Sequence, residues 1–385
     1  MISRVADHCF WFGRYLERAE STARLLQTSA NLALDGDLPP LQVWQPVVIT
    51  AGEEAAFLER RGAAALADGE AVQEHLALDR EVAASLTRSV QAARENARSI
   101  REVVSLEVWE SINELHLWLQ SGQAREEFDE HRYGFYRRVR SEAQLALGLL
   151  RGTMLHDTPL HFIWLGVIIE RTGQTARILD VHHHAFSLAI HPAAGPDSPP
   201  PGPSQLQSQT QSQMQSQMQS LRGPPEEKQA SQLSSPDSMV APGGSAAFSD
   251  EQEARQVVEV ALWLSLLRTC YGFEPFMKLH HGPVTGEAAA NFLIFEKRFP
   301  RSVLHCVQRV RELLAQVRPS SGASAPHSPA LERARVLEEA LAQRAQEPLD
   351  TAAMHALLTE VVDQMHAVCD ELGAELHGPA GVPRH

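Results

Sequence analysis

The chain has 385 residues, 43% of them hydrophobic and 6% aromatic, which is enough to build one large core or two modest ones and excludes a wholly disordered chain. The 34 Lys and Arg stand against 48 Asp and Glu, a formal net charge of -14, and no basic cluster offers a footprint for phosphate backbones, so nucleic-acid binding is not expected. Four scattered cysteines without a CxxC pair, a start unlike a signal peptide and the lack of any run of about twenty apolar residues predict a reduced, cytoplasmic protein with no membrane span.

In chain order, residues 1–190 read as a helical region that contains a signature repeated near each end of it. The stretch Ala71 to Leu119 has hardly a Gly or Pro and predicts long helix. It carries a polar run of Arg94, Glu95, Asn96, Arg98, Arg101, Glu102, Glu107, Glu110 and Asn113, in which Glu95, Arg98 and Glu102 recur at three- and four-residue spacing. Such a run is either a solvated face with local ion pairs or a polar stripe wrapped between helices. Pro159 suits the first turn of the helix that carries the second signature. Residues 191–250, with consecutive prolines and an alternating Gln/Ser tract, predict a disordered low-complexity insertion. Residues 251–377 return to helical spacing at Arg255–Cys270 and Ser302–Val317, with a flexible break at 319–329, and are expected to complete the same domain. Pro300 is placed as a second first-turn proline, and Arg298, Arg301 and Ser302 around it form a helix start that is either a capped turn or a cradle for a carboxylate or phosphate. No hairpin or βαβ pattern is present, so the fold class is all-α, a bundle of long helices.

The repeated signature is the most specific feature. Trp11–Leu26 and Trp164–Leu179 align at a constant offset with identity at Trp, Gly, Glu, Arg, Thr, Ala, Arg and Leu. Shared amphipathic patterning matches leucines but rarely Trp, Gly, Glu and two Arg in register, so a helical unit has been duplicated. At about 100° per residue, Gly13, Glu17 and Arg24 share one face, as do Gly166, Glu170 and Arg177. Glu17 and Arg24 are roughly 10 Å apart along the axis, too far to pair within one helix. Antiparallel packing of the copies about a pseudo-twofold axis would set Glu17 opposite Arg177 and Glu170 opposite Arg24, the glycines allowing close approach. Three roles are open for these charges: a buried network that fixes register, the lining of a ligand pocket or catalytic cleft, and a docking surface.

Other chemistry is weakly signalled. His182, His183 and His184 point about 100° apart on a helix and cannot share one ion, and with His156, Asp157 and His161 they read as structural or surface groups. Asp363-x-x-His366 stands alone where a di-iron bundle needs two Glu-x-x-His helices. With no phosphate loop, nucleophile elbow or Cys/His pair, neither cofactor nor metal is expected.

The run Met1-Ile2-Ser3-Arg4-Val5-Ala6 followed by Trp11-Phe12-Gly13-Arg14-Tyr15-Leu16-Glu17-Arg18-Ala19-Glu20 closely resembles the start of the bacterial alpha-E family. Matching runs follow in order: Ala93-Arg94-Glu95-Asn96-Ala97-Arg98-Ser99 with Trp109-Glu110 and Asn113, then His156-Asp157 through Leu165-Gly166, Glu170-Arg171 and Arg177-Ile178-Leu179-Asp180, and last Arg298-Phe299-Pro300-Arg301-Ser302-Val303. The sequence departs from the family at Val167, where Arg is usual, which leaves Arg14 without its counterpart. The resemblance implies a helical fold and partners among circularly permuted ATP-grasp proteins and transglutaminase-like proteases, and it suggests a role in making, attaching or processing a peptide. Two functions follow as expectations. One is a non-catalytic partner or substrate-presenting subunit of such a system. The other is an enzyme that uses Glu17 and Glu170 as acid and base in a cleft flanked by Arg14, Arg24 and Arg177.

Overall fold

Short polar caps punctuate the helices. Ser85, Ser105, Ser121, Ser302 and Ser328 each accept a backbone N–H three residues on, and Asp68 and Thr285 act likewise. The computed structural model describes residues 3–35, 38–190, 245–317, 328–347 and 349–377. These form α1 (Ser3–Asp35), α2 (Pro40–Ala51), α3 (Glu54–Arg61), a 3-10 turn (Ala63–Ala67), α4 (Gly69–Ala77), α5 (Leu86–Ser99), α6 (Leu106–Leu119), α7 (Gly122–Glu130), α8 (Arg132–Thr153) and α9 (Thr158–Ile190). After them come α10 (Ser245–Thr269), α11 (Phe273–Leu279), α12 (Gly286–Phe295), α13 (Val303–Gln316), α14 (Pro329–Arg344) and α15 (Thr351–His377). No strand occurs among the described residues.

The expected long helix over 71–119 is three helices. Ser85 and Ser105 offer their hydroxyls to the N–H groups of Arg88 and Val108, which restarts a helix at each serine instead of continuing the one before. Pro159 lies in the first turn of α9, as the sequence suggests, but Pro300 does not open α13. That helix begins at Val303 because Ser302 supplies the cap. Of the expected insertion, residues 191–244 lie outside the described residues, and 245–250 belong to α10. Most of the expected break at 319–329 also lies outside them, except that Ser328 and Pro329 start α14.

One body is built from the described residues within 3–190 and 255–377. At its centre α1 lies along α9, with α5 and α8 packed on α1, and α13 and α15 packed on α9. Helix α6 bridges α5 and α8, and α14 bridges α13 and α15 in the same way. The two halves are thus copies of one unit: α1, α5, α6 and α8 correspond to α9, α13, α14 and α15. Residues 85–95 and 302–312 share Ser, Val, Gln, Arg and Glu at matched positions. A second match is sterically demanding. Gly69 lies against the indole of Trp44, where a methyl group would fall 2.6 Å from the ring, and Gly286 lies the same way, at the same 2.6 Å, against Trp263. The duplication therefore extends from one helix to a multi-helix unit. No helix among the described residues is long and apolar enough to cross a membrane.

Candidate functional site: a reciprocal glutamate–arginine network

The two signature helices touch backbone to backbone. A methyl group at Gly13 would fall 2.0 Å from the Ile163 carbonyl oxygen, and one at Gly166 would fall 2.0 Å from that of Phe10. Residue numbers rise together along the contact: beyond the close approach of Gly13 and Gly166, Glu17 pairs with Arg171 and Arg18 with Glu170. The copies therefore run parallel, not antiparallel. Helices α2 to α8 lie between them in sequence and give the chain ample length to return to its starting end, so no short hairpin imposes an antiparallel pair.

Parallel packing changes the ion pairs. Glu170 meets Arg18, not Arg24: Nε of Arg18 donates to Oε1 at 2.8 Å and Nη2 to Oε2 at 3.0 Å. The mirror pair joins Arg171 to Glu17, not Arg177, with Nε to Oε1 at 2.9 Å and Nη2 to Oε2 at 2.8 Å. Each glutamate also holds a second guanidinium. Arg14 donates twice to Oε2 of Glu170, at 2.9 and 2.7 Å. Its missing counterpart at Val167 is replaced on Glu17 by Arg301, whose Nη1 donates to Oε1 at 2.9 Å. All three residues Arg298, Pro300 and Arg301 sit in the turn before α13. There Phe299 is buried against Phe292, Ser302 donates to the Glu296 carbonyl at 2.7 Å, and Arg298 is turned outward onto Glu296.

A third carboxylate, Glu20, extends the network. It accepts from Arg24 at 2.5 Å and from Arg301 at 3.5 Å, and Tyr271 donates to it at 2.8 Å. Arg140 and Gln144 of α8 both donate to the Tyr271 hydroxyl. The Tyr271 ring is faced by Arg24, Arg140 and Arg301 at 4.4, 5.2 and 4.9 Å. Tyr271 has φ +55, with its N–H on Arg268 O and the Gly272 N–H on Leu267 O. This is the Schellman ending of α10 with tyrosine at the position that ordinarily takes glycine, a cost of roughly 1 kcal/mol accepted where the side chain is needed.

Glu17, Glu20 and Glu170 have fully buried side chains, while Arg14, Arg18, Arg171 and Arg301 keep only 10 to 22% of theirs exposed. Burial alone would raise the carboxyl pKa values, but the guanidiniums outweigh it. Arg171 and Arg301 bring Glu17 down to about 2, Arg18 and Arg14 hold Glu170 well below the usual carboxylate range, and Arg24 and Arg301 lower Glu20. The copies differ at Glu20 as well as at Arg14. Glu20 is replaced by Gly173, so Arg177, which corresponds to Arg24, has no carboxylate at i-4, and its guanidinium lies over Gly173 with no ion pair among the described residues.

The remaining polar run lies apart from this network. Arg94 on α5 donates to Asn113 on α6 at 2.8 Å, and Oδ1 of Asn96 accepts from Nδ1 of His8 of α1 at 2.8 Å. Glu95 accepts from Gln91 on its own helix, whereas Arg98 and Glu110 are exposed. Among the described residues, no group of three His, Cys, Asp or Glu side chains is gathered to hold a metal. His182 is buried, its Nδ1 within 2.9 Å of the Ile178 carbonyl.

The family model described as "Alpha-E: a predicted alpha-helical domain with a conserved ER motif" matches residues 1–222 and 238–375. No curated protein and no solved structure matches the chain. Among the chain's Glu-Arg dipeptides, Glu17-Arg18 and Glu170-Arg171 are the ones that exchange partners across the parallel contact.

Proposed function

The chain belongs to the Alpha-E family, and from that premise we propose that it serves as a non-catalytic helical partner or substrate-presenting subunit of a cytoplasmic peptide synthesis or modification system. Its partners in this reading are a circularly permuted ATP-grasp protein and a transglutaminase-like protease. One observation carries the reading. The two carboxylates that an acid–base mechanism would use, Glu17 and Glu170, are fully buried, each gripped by two guanidiniums and held ionised. A general acid needs a raised pKa and an open path to substrate, and both features are reversed here. Buried pairs of this kind fix the register of a bundle, which suits a rigid surface that presents another molecule.

Co-purification tests the proposal. The tagged chain is expected to retain the ATP-grasp protein and to raise its ATP-dependent peptide ligation, while the chain alone with ATP and peptide yields no product. A folded chain that captures neither partner, or that forms product on its own, contradicts it.

A further inference from the structure

A cavity of about 340 Å³ opens between the end of α8, the first turns of α9 and the last turns of α13. From α9 it takes Leu160, His161, Trp164 and Ile168, and from α13 Arg309, Leu313 and Gln316, both sets at helical spacing that aims one face inward. Arg151, at the end of α8, closes the rim together with His156, whose Nε2 lies 3.1 Å from the Arg151 carbonyl oxygen, and the Arg151 guanidinium is 4.2 Å from the Trp164 ring centre. The floor is apolar, made by Leu160, Ile168, Leu313 and the indole.

The charges at this rim are unequal. Arg309 is neutralised by Glu312 on its own helix. Arg151 has no carboxylate in ion-pair range among the described residues, and the charged neighbours that act on it, Arg171 and Arg309, are both cationic. Asp157 acts on His161 from the adjacent turn and does not line the cavity. His161 itself leaves Nδ1 buried without a hydrogen-bond partner. A site with one uncompensated guanidinium and an apolar floor lacks a single negative charge and a small hydrophobic body.

We propose that this cavity binds a monocarboxylate that carries a small apolar group, its carboxylate on Arg151 and its body against Trp164 and Leu313. A phosphate dianion would bring more charge than the Arg151 guanidinium offsets. The site is separate from the partner role and stands or falls without it.

Calorimetric titration of the full chain with N-acetyl-leucine, and with N-acetyl-leucinamide as its neutral isostere, tests the assignment. The acid is expected to bind saturably and at least about tenfold more tightly than the amide, the margin set by losing a charge-assisted bond. Arg151→Gln, at an exposed helix end and checked for unchanged helicity, is expected to remove that margin, and Arg98→Gln to leave it intact. Equal binding of acid and amide, tighter binding of phenyl phosphate than of the acid, an unchanged margin in Arg151→Gln, or no saturable binding up to roughly 10 mM would each overturn it.

Discussion

At the residue scale, the glycines and the glutamates form one device. Gly13 and Gly166 let two backbones meet, and that closeness brings each Glu-Arg dipeptide within reach of the other. Gly13→Ala or Gly166→Ala places a methyl group 2.0 Å from a backbone carbonyl of the facing helix, which no side-chain rotation relieves. Each substitution is expected to destabilise by about 3 kcal/mol or more in urea denaturation, and a loss below about 1 kcal/mol would show that the helices part without strain. Glu17, Glu170, Arg18 and Arg171 were legible because the duplication matched them in register. Glu20 had a readable signal in its four-residue spacing to Arg24. Arg140, Gln144 and Tyr271 had none, because they reach the network from α8 and the end of α10, positions fixed only by tertiary packing.

At the element scale, α1 and α9 are joined by charges whose ionisation depends on the folded state. Glu17, Glu20 and Glu170 have depressed pKa values, so their contribution is fully present above the ordinary carboxyl range and is lost as pH falls from about 4.5 towards 2. His182 adds an earlier limb. Burial pushes its pKa from 6.5 down to about 4, against the opposing bond to the Ile178 carbonyl. It too stabilises only above its unfolded value, and that part is lost between pH 6.5 and 4. The urea midpoint is therefore expected to fall in two stages on acidification, and His182→Gln to flatten the first stage alone. A midpoint that stays level down to pH 3 would be incompatible with a buried ionic seam. Helix presence was plain in the sequence, but helix ends were not. Serine caps cut 71–119 into three, and Ser302, not Pro300, opens α13.

At the scale of the whole molecule, the all-α class and the duplication were readable, whereas the direction of packing was not. A face shared by Gly, Glu and Arg is equally consistent with parallel and antiparallel neighbours, and the long connection through α2 to α8 permits either. Parallel copies put like residues side by side, so Glu17 meets Arg171, the neighbour of its own counterpart, and the same swap recurs at Glu170. The extent of the duplication was also hidden, since residues 85–95 and 302–312 keep a different offset from that of the signature helices. A double-mutant cycle in urea denaturation, with Glu17→Gln, Arg171→Met and Arg177→Met, tests the reciprocal parallel network most directly. The expected coupling is about 2 kcal/mol between Glu17 and Arg171 and under about 0.5 kcal/mol between Glu17 and Arg177, and the reverse order would contradict it.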